Sequence, residues 1–232
     1  MKYCVFSGWY CDDKPRNYAT FGTHKIREKD FFNLWYKSVT TFTKPEKIFI
    51  TDSASPVKPD LPDDPRIEFV SLYKNFGHSA VPGPHYCGFT KALFSGIFYA
   101  DLNEFDYAVF VEQDCLLYGK NFVENIINVF RGQDLILCHG RGTAQPIQQS
   151  FFIMRKNIYR DYINYYMRFE KSDHQFSPEK KMYVISQFFK TAISNLEFGR
   201  ARPLNFDLDY FYFQHGSDDE ITQYNKKLAA FN

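Results

Sequence analysis

Residues 105–114 read FDYAVFVEQD and decide the fold, because this largely apolar run predicts a buried strand that ends in two acids. In a strand, alternate side chains point to the same face, so we expect Glu112 and Asp114 on one side and Gln113 on the other. Burying an unpaired carboxylate is energetically unfavourable. The two acids therefore need water, protons or a cation as partners.

The stretches around this strand alternate between strand-like and helix-like patterns. Short apolar runs predict strands at residues 3–6, 47–51, 67–72 and 134–138, and helical spacing predicts helices at residues 25–42, 88–101 and 121–130. Such alternation is typical of a mostly parallel central sheet covered by helices on both faces. A length of 232 residues suits a single α/β domain of this Rossmann-like kind.

The pattern is less regular beyond Gly140. The sequence predicts a strand at residues 150–154, a Tyr-rich helix at residues 158–169 and, after a polar loop, another helix to about residue 196. The tail FDLDYFYFQHGSDDE, residues 206–220, mixes aromatic and acidic residues without one period. We therefore assign no regular element to it.

Composition limits the partners and the compartment. The 28 Lys and Arg residues almost balance the 27 Asp and Glu residues, so no general electrostatic footprint for nucleic acid or an anionic membrane is present. Five cysteines without CxxC spacing indicate packed, reduced thiols rather than a disulfide frame or a zinc site. No apolar run approaches the ~20 residues that span a membrane, and the first residues are too polar for a signal peptide. These features predict a soluble, cytoplasmic protein.

The usual phosphate-binding loops are missing, since no GxGxxG follows the first strand and no GxxxxGK[ST] occurs. Any bound phosphate needs another counter-charge. Carboxylates at the carboxyl end of a central strand lie where open α/β sheets bind ligands, and Mg²⁺ or Mn²⁺ is commonly held by one or two such groups together with substrate phosphates. The alternative is that Glu112 and Asp114 lie in a solvated loop and pair with Lys or Arg.

Four stretches together resemble the GT-A fold of nucleotide-sugar-dependent glycosyltransferases: KIFIT before Asp52, the helix GFTKALFSGIFYA, the strand FDYAVFVEQD and the late FQHGS. The resemblance implies a metal-dependent enzyme that moves a sugar from a nucleoside diphosphate donor, UDP above all, to a hydroxyl of a glycan or glycoconjugate. It also implies a single domain, with a donor half at about residues 1–119 and an acceptor half at about residues 120–232.

In that family the acid-x-acid stretch and the late histidine bind the cation. By resemblance, Asp114 is the direct metal ligand, Glu112 contacts the ribose or a metal-bound water, and Gln113 lies beside them in the donor site. This chain has Glu-x-Asp where the family usually has Asp-x-Asp, which bears on the role of Glu112. His215, followed by Gly216, resembles a further ligand for Mn²⁺ or Mg²⁺. The alternative for His215 is a surface histidine in a polar tail.

Four more residues would complete the donor site by the same resemblance. Asp52 would hydrogen-bond the nucleoside, Lys91 would face the phosphates, and Ser7 and Tyr10 would lie beside the base. Asp52 and Lys91 each have a simpler alternative. Asp52 can form a turn before Ser53, and Lys91 can be a solvated helix lysine.

The acceptor side needs a carboxylate that takes the proton from the attacking hydroxyl, if the enzyme inverts the sugar's configuration. Asp173 and Glu179 lie in the expected loop and helix start after residue 170. Glu179 follows Ser177 and Pro178, a good helix start, so its alternative role is to complement the helix dipole.

Two other functions stay open at this stage. A nucleotidyltransferase uses a related sheet and also binds a divalent metal, but it usually has a glycine- and basic-rich loop after the first strand, and SGWYCDDKPR is a poor version of one. A non-catalytic glycan-binding module is the second alternative, because aromatic residues make up 19% of the chain and rings can form a sugar platform.

Overall fold

The computed structural model of the chain describes residues 1–12 and 20–231. Residues 13–16, which end the SGWYCDDKPR stretch, lie outside the described residues.

Within these ranges the chain forms ten strands and six α-helices. The strands are β1 (Tyr3–Trp9), β2 (Lys47–Asp52), β3 (Ile67–Ser71), β4 (Tyr107–Val111), β5 (Cys115–Tyr118), β6 (Leu135–His139), β7 (Ile147–Arg155), β8 (Thr191–Ser194), β9 (Phe198–Gly199) and β10 (Phe211–Gln214). The helices are α1 (Phe31–Phe42), α2 (Gly88–Leu102), α3 (Phe122–Val129), α4 (Tyr159–Met167), α5 (Pro178–Ser186) and α6 (Asp218–Phe231).

The central sheet has seven strands in the order β3-β2-β1-β4-β7-β6-β8. Neighbours from β3 to β4 are parallel, β7 runs antiparallel to both β4 and β6, and β8 is parallel to β6. The predicted mostly parallel sheet in a single α/β domain is confirmed. Because β1, β2 and β4 are parallel, their carboxyl ends lie at one edge of the sheet.

Alternate residues of each strand face two separate apolar cores. On β1, Tyr3 and Val5 face the core that includes α1, α3 and α6, whereas Cys4 and Phe6 face the core that includes α2, α4 and α5. The close packing of α2 on β1 requires a glycine, since a Cβ on Gly96 would lie 2.0 Å from the Phe6 ring. The layering of helices on both faces therefore follows from the two-residue period of the strands.

A smaller sheet joins the tail to the acid-rich stretch. It has the order β5-β10-β9, with β10 antiparallel to β5 and Gln214 opposite Cys115. The β10 strand comes from the tail to which the sequence assigned no element. This pairing places Gln214 and His215 beside residues 112–114.

Two predicted helices were wrong in extent. The helix predicted to about residue 196 ends at Ser186, because residues Thr191–Ser194 pair instead with β6 as the edge strand β8. The helix predicted at residues 25–42 is a 3₁₀ turn, His24–Arg27, followed by α1. The final helix α6 was not predicted from the sequence.

As predicted, all five cysteines are buried, and none forms a disulfide within the part of the chain that the structure describes. Among the described residues, no helix combines the length and the apolar character that a membrane crossing requires.

Candidate active site

The two acids lie in a turn rather than in the strand that was predicted to carry them. Strand β4 ends at Val111, and the Cys115 amide donates to the Glu112 carbonyl over 2.9 Å, which closes the turn before β5. The Trp35 indole Nε1 donates to the same carbonyl over 3.0 Å. The chain therefore turns at the carboxyl edge of the sheet, and the turn, not strand alternation, sets the direction of both carboxylates.

One amide bridges the two carboxylates. Gln214 Nε2 donates to Glu112 Oε2 over 2.6 Å and to Asp114 Oδ1 over 2.9 Å. Carboxylate oxygens only accept, so the amide nitrogen must face them and the amide oxygen must point away. The group that lies between the two carboxylates is thus a neutral amide, which does not cancel their negative charge as a lysine or arginine would.

The electrostatics of Glu112 reflect this lack of a counter-charge. Burial and the neighbouring Asp114 carboxylate raise the pKa of Glu112 well above its usual range, against the opposing effects of Arg200 and the Gln214 hydrogen bond. Glu179 adds to the rise. A carboxyl whose pKa is raised by burial and by like charge is a mark of a functional site.

His215 lies against the other side of Asp114. Its Nε2 is 3.5 Å from Asp114 Oδ2, and the Phe21 ring stacks on the imidazole with centroids 5.5 Å apart. Burial lowers the pKa of His215 to about 4, so the ring is neutral near pH 7. The backbone φ of 58° turns the chain sharply here, and a Cβ on Gly22 would lie 2.6 Å from the His215 carbonyl carbon.

These donors suit a divalent cation with two protein ligands. The free oxygen of Asp114 and the neutral Nε2 of His215 are a hard anionic ligand and a good imidazole ligand on the same side of the turn. Across residues 1–12 and 20–231, no three His, Cys, Asp or Glu side chains converge as a metal-ligand group. An ion at Asp114 and His215 would therefore need further oxygens from a bound ligand, as Mg²⁺ sites with substrate phosphates commonly do.

A cleft of about 620 Å³ opens at this edge of the sheet. The predicted site residues that line it are Tyr10, Glu112, Gln113, Asp114, Glu179 and His215. Its volume is typical of sites for small molecules and cofactors. The structure thus brings the acid-rich stretch, the tail histidine and one acceptor-side carboxylate into one space.

The Gln113 side chain joins the acid turn to the end of β1. Its Oε1 accepts from the Tyr10 amide over 2.8 Å, and its Nε2 donates to the Tyr10 carbonyl over 3.3 Å. Gln113 thus fixes Tyr10 at the rim of the cleft. Ser7, in contrast, is fully buried in β1 and donates to the Gly8 carbonyl, so its side chain does not line the cleft.

Asp52 and Lys91 also lie outside the cleft lining. The Asp52 carboxylate is fully buried and accepts from the Ser55 amide over 3.0 Å and from Ser71 Oγ over 2.8 Å, which is the turn-forming role. The Lys91 ammonium lies 4.9 Å from the centre of the Phe76 ring, in a cation–π contact. Neither side chain reaches the cleft in this arrangement.

The two acceptor-side candidates differ completely. Asp173 is buried and forms an ion pair with Lys181, with Oδ1 and Nζ 2.9 Å apart, so it does not line the cleft. Glu179, at the start of α5, lines the cleft, and its carboxylate makes no hydrogen bond or ion pair with any described residue. Of the two carboxylates, only Glu179 is placed to accept a proton from a ligand.

Three further residues line the cleft that were not predicted from the sequence: Gln214, Arg200 and Phe21. Gln214 directly precedes His215, so the FQHGS stretch was the available signal. Arg200 and Phe21 stand in irregular segments, and only the folded chain brings them to the acids.

Comparisons with known proteins find structural likeness only. No family model matches the chain, and no curated protein matches it. TarS residues 1–349 from S. aureus, in complex with UDP, align with a TM-score of 0.53 at 13% identity, over 99% of this chain and 65% of that chain. The glycosyltransferase GlyE from Streptococcus pneumoniae TIGR4 aligns at 0.50 and 11% identity, over 98% and 60%.

The bifunctional IspDF from Campylobacter jejuni aligns at 0.50 and 15% identity, over 90% of this chain and 55% of that chain. This chain thus spans less than two thirds of each of these structures. At such identities the likeness shows the fold alone. The chain has a GT-A-like fold, as the sequence resemblance predicted.

Proposed function

We propose that the protein is a metal-dependent glycosyltransferase that moves a sugar from a nucleoside diphosphate, UDP above all, to a hydroxyl of a glycan or glycoconjugate. The observation that carries the proposal is the meeting of Asp114, Glu112 and His215 in one cleft at the carboxyl edge of the sheet. A fold shared with UDP-bound TarS and with the glycosyltransferase GlyE supports it. In this proposal the donor half is about residues 1–119 and the acceptor half about residues 120–232.

Asp114 and His215 would hold Mn²⁺ or Mg²⁺, and Glu112 would bind the ribose or a metal-bound water. When bound, the cation would neutralise the charge that develops on the departing diphosphate. Gln113 keeps Tyr10 at the rim, where its ring can contact the base of the nucleotide. Five buried cysteines that form no disulfide among the described residues support a reducing compartment, and we infer the cytoplasm.

Glu179 would act as the base toward the acceptor hydroxyl. It faces the cleft without a partner among the described residues, and its charge already acts on Glu112. A positioned base of this kind contributes about 10²–10⁴-fold to the rate. Asp173 has no part in the proposal, because its carboxylate is fully engaged in the buried ion pair.

A thermal-shift panel tests the proposal, because a ligand that binds only the native state raises the melting temperature by mass action. UDP, UDP-glucose, UDP-N-acetylglucosamine and nucleoside triphosphates are compared with Mn²⁺ and with a chelator. We expect a UDP shift that is much larger with Mn²⁺ than with the chelator. A shift with triphosphates alone would favour nucleotidyl transfer, and a shift only with free glycans would favour a binding module.

Replacing Glu179 tests the acceptor half of the proposal. We expect Glu179→Gln to lower the release of UDP from UDP-sugar by about 10²–10⁴-fold, with UDP affinity unchanged. Glu170→Gln, at an exposed position, is the matched control. Wild-type turnover in Glu179→Gln would remove Glu179 as the base.

A further inference from the structure

Arg200 lines the cleft with most of its hydrogen-bonding capacity unused. Its Nε donates to Gln214 Oε1 over 3.1 Å. In the part of the chain that the structure describes, the two terminal nitrogens of its guanidinium have no hydrogen-bond or ion-pair partner. The side chain therefore presents a fixed positive charge with free donors to the space beside the acid turn.

Gln214 connects this guanidinium directly to both acids. Its Oε1 accepts from Arg200, while its Nε2 donates to Glu112 and Asp114 over 2.6 and 2.9 Å. A guanidinium only donates and a carboxylate only accepts, so the amide can bridge them in this orientation alone. We call Arg200, Gln214 and the two acids the amide relay.

The backbone before Arg200 is fixed by a close contact at Gly199. Gly199 has a φ of 56°, and a Cβ there would lie 2.4 Å from Gln148 Nε2. Gln148 Nε2 in turn donates to the carbonyls of His139 and Arg141 over 3.1 and 2.8 Å. The glycine thus allows a close approach that fixes where Arg200 enters the cleft.

We propose that Arg200 binds the terminal phosphate of the nucleoside diphosphate, and that Gln214 couples this anion site to the cation site at Asp114. The inference rests on the proposed function. The free edge of the guanidinium can form two parallel hydrogen bonds to a phosphate, whereas a lysine offers a single point charge. The diphosphate would then lie between Arg200 on one side and the ion held by Asp114 and His215 on the other.

The amide relay has a consequence for binding. A phosphate that accepts hydrogen bonds from Arg200 changes how strongly Arg200 polarises the Gln214 amide, and the same amide donates to Asp114. Binding at the anion site therefore affects binding at the cation site. Arg200 also provides phosphate affinity that needs no metal. The affinity that the phosphates add to UDP binding should therefore have two contributions, one from the metal ion and one from Arg200.

Calorimetric titrations of UDP, UMP and uridine, each with Mn²⁺ and with a chelator, test the assignment. We expect Arg200→Ala to weaken UDP binding about 10- to 100-fold and to leave uridine binding unchanged, because only the charged hydrogen bonds to phosphate are lost. With the chelator, Arg200→Ala should remove most of the remaining preference for UDP over uridine. Arg168→Ala, an exposed arginine at the end of α4, is the control and should match the wild type.

Two further variants test the coupling. Arg200→Lys keeps the charge but loses the two-pronged contact, so its UDP affinity should fall between those of the wild type and Arg200→Ala. In a Gln214→Leu background, Arg200→Ala should cause a smaller loss than in the wild type, because the relay is already broken. Strictly additive losses would overturn the coupling.

The outcomes separate this inference from the proposed function. If the wild-type protein binds no UDP even with Mn²⁺, the proposed function fails whatever Arg200 does. If the wild type binds UDP and Arg200→Ala binds it equally well, the inference fails alone. An equal loss for UDP and uridine would also overturn it, since Arg200 would then shape the cleft and not bind phosphate.

Discussion

Two carboxylate sites in this protein use similar residues in opposite ways. In the cleft, Glu112 and Asp114 share a neutral amide donor and have a neutral histidine beside them. In the core, Asp173 is paired with Lys181, and both side chains are almost completely buried, with exposed fractions of 1% and 0%. The partners, rather than the residue type, decide whether a carboxylate can take a ligand.

Every hydrogen-bonding group of the buried pair is used. Asp173 Oδ2 accepts from the Cys87 amide over 2.8 Å, and Oδ1 accepts from Tyr166 as well as from Lys181. Lys181 also donates to the Lys171 carbonyl over 2.7 Å, and its ammonium lies 5.3 Å from the centre of the Tyr166 ring. Nothing in this arrangement remains for a substrate, so we expect it to affect stability and the cleft to affect binding.

Breaking the buried pair should produce the largest effect. We expect Lys181→Met to lower the free energy of unfolding by about 3–5 kcal/mol, because it leaves the Asp173 charge buried without its cation. The measurement is chemical denaturation, with Lys180→Met as the exposed neighbour that should change little. Samples that remain folded should keep the UDP affinity of the wild type.

The double variant Lys181→Met with Asp173→Asn sharpens this prediction. The asparagine oxygen can still accept from the Cys87 amide, and no charge is left in the core. Most of the lost stability should therefore return. A double variant as unstable as Lys181→Met alone would show that the buried charge is not the cause of the loss.

The second largest effect is expected at Asp114, and it should appear in binding. Asp114→Asn should weaken Mn²⁺-dependent UDP binding by at least about 100-fold, roughly 2.8 kcal/mol, because the anionic ligand is removed. The fold should persist, since the asparagine oxygen can still accept from Gln214 and the repulsion by Glu112 is relieved. Asp60→Asn is the exposed control. If Asp114→Asn bound UDP as tightly as the wild type in the presence of Mn²⁺, Asp114 would not be a ligand of the cation.

The contrast between the two sites also shows which features can be predicted from the sequence: those set by local pattern, and not those set by contacts between distant residues. Strand alternation and the position of the acids after an apolar run are local features, so the mostly parallel sheet and the place of the acids at the carboxyl end of β4 could be predicted, whereas the turn that directs their side chains could not. Asp173 and Glu179 both appear as polar-loop acids six residues apart, and nothing local distinguishes the buried one from the one in the cleft.

The bridging groups were inaccessible for the same reason. Gln214 lies 100 positions from Asp114, and its role depends on the pairing of β10 with β5. Strand β8 was predicted as helix because only its pairing with β6 makes it a strand. The features that were not predicted thus depend on contacts between distant parts of the chain.

A smaller effect is expected from His215→Ala, which removes one ligand but leaves the carboxylate and the phosphates. We expect a loss in Mn²⁺ and UDP affinity of about 10- to 100-fold, by analogy with supporting residues at other metal sites. The measurement is titration of UDP in saturating Mn²⁺, and His24→Ala, on an exposed turn, is the control. Unchanged affinity would mean that His215 only packs against Phe21.

The smallest effect is expected from Tyr166→Phe, which removes a single hydroxyl from the buried region and therefore distinguishes the two sites most clearly. The Tyr166 hydroxyl donates to Asp173 Oδ1 over 3.1 Å and lies 2.9 Å from Thr90 Oγ1. In Tyr166→Phe, Asp173 keeps Lys181 and the Cys87 amide, so its charge stays compensated. We expect a loss of about 1 kcal/mol in the free energy of unfolding, the usual net contribution of one hydrogen bond.

The matched control for this change is Tyr165→Phe, because the neighbouring tyrosine stacks on Phe188 with ring centres 4.7 Å apart and its hydroxyl makes no hydrogen bond to a described residue. Denaturation curves of the two variants should therefore differ by the contribution of the Asp173 contact alone. UDP affinity should be the same in both, since the ion pair that joins residues 173 and 181 remains in place. If Tyr166→Phe instead weakened UDP binding at unchanged stability, the buried pair would act on the cleft, and the division between a stabilising carboxylate and a ligand-binding one would not hold.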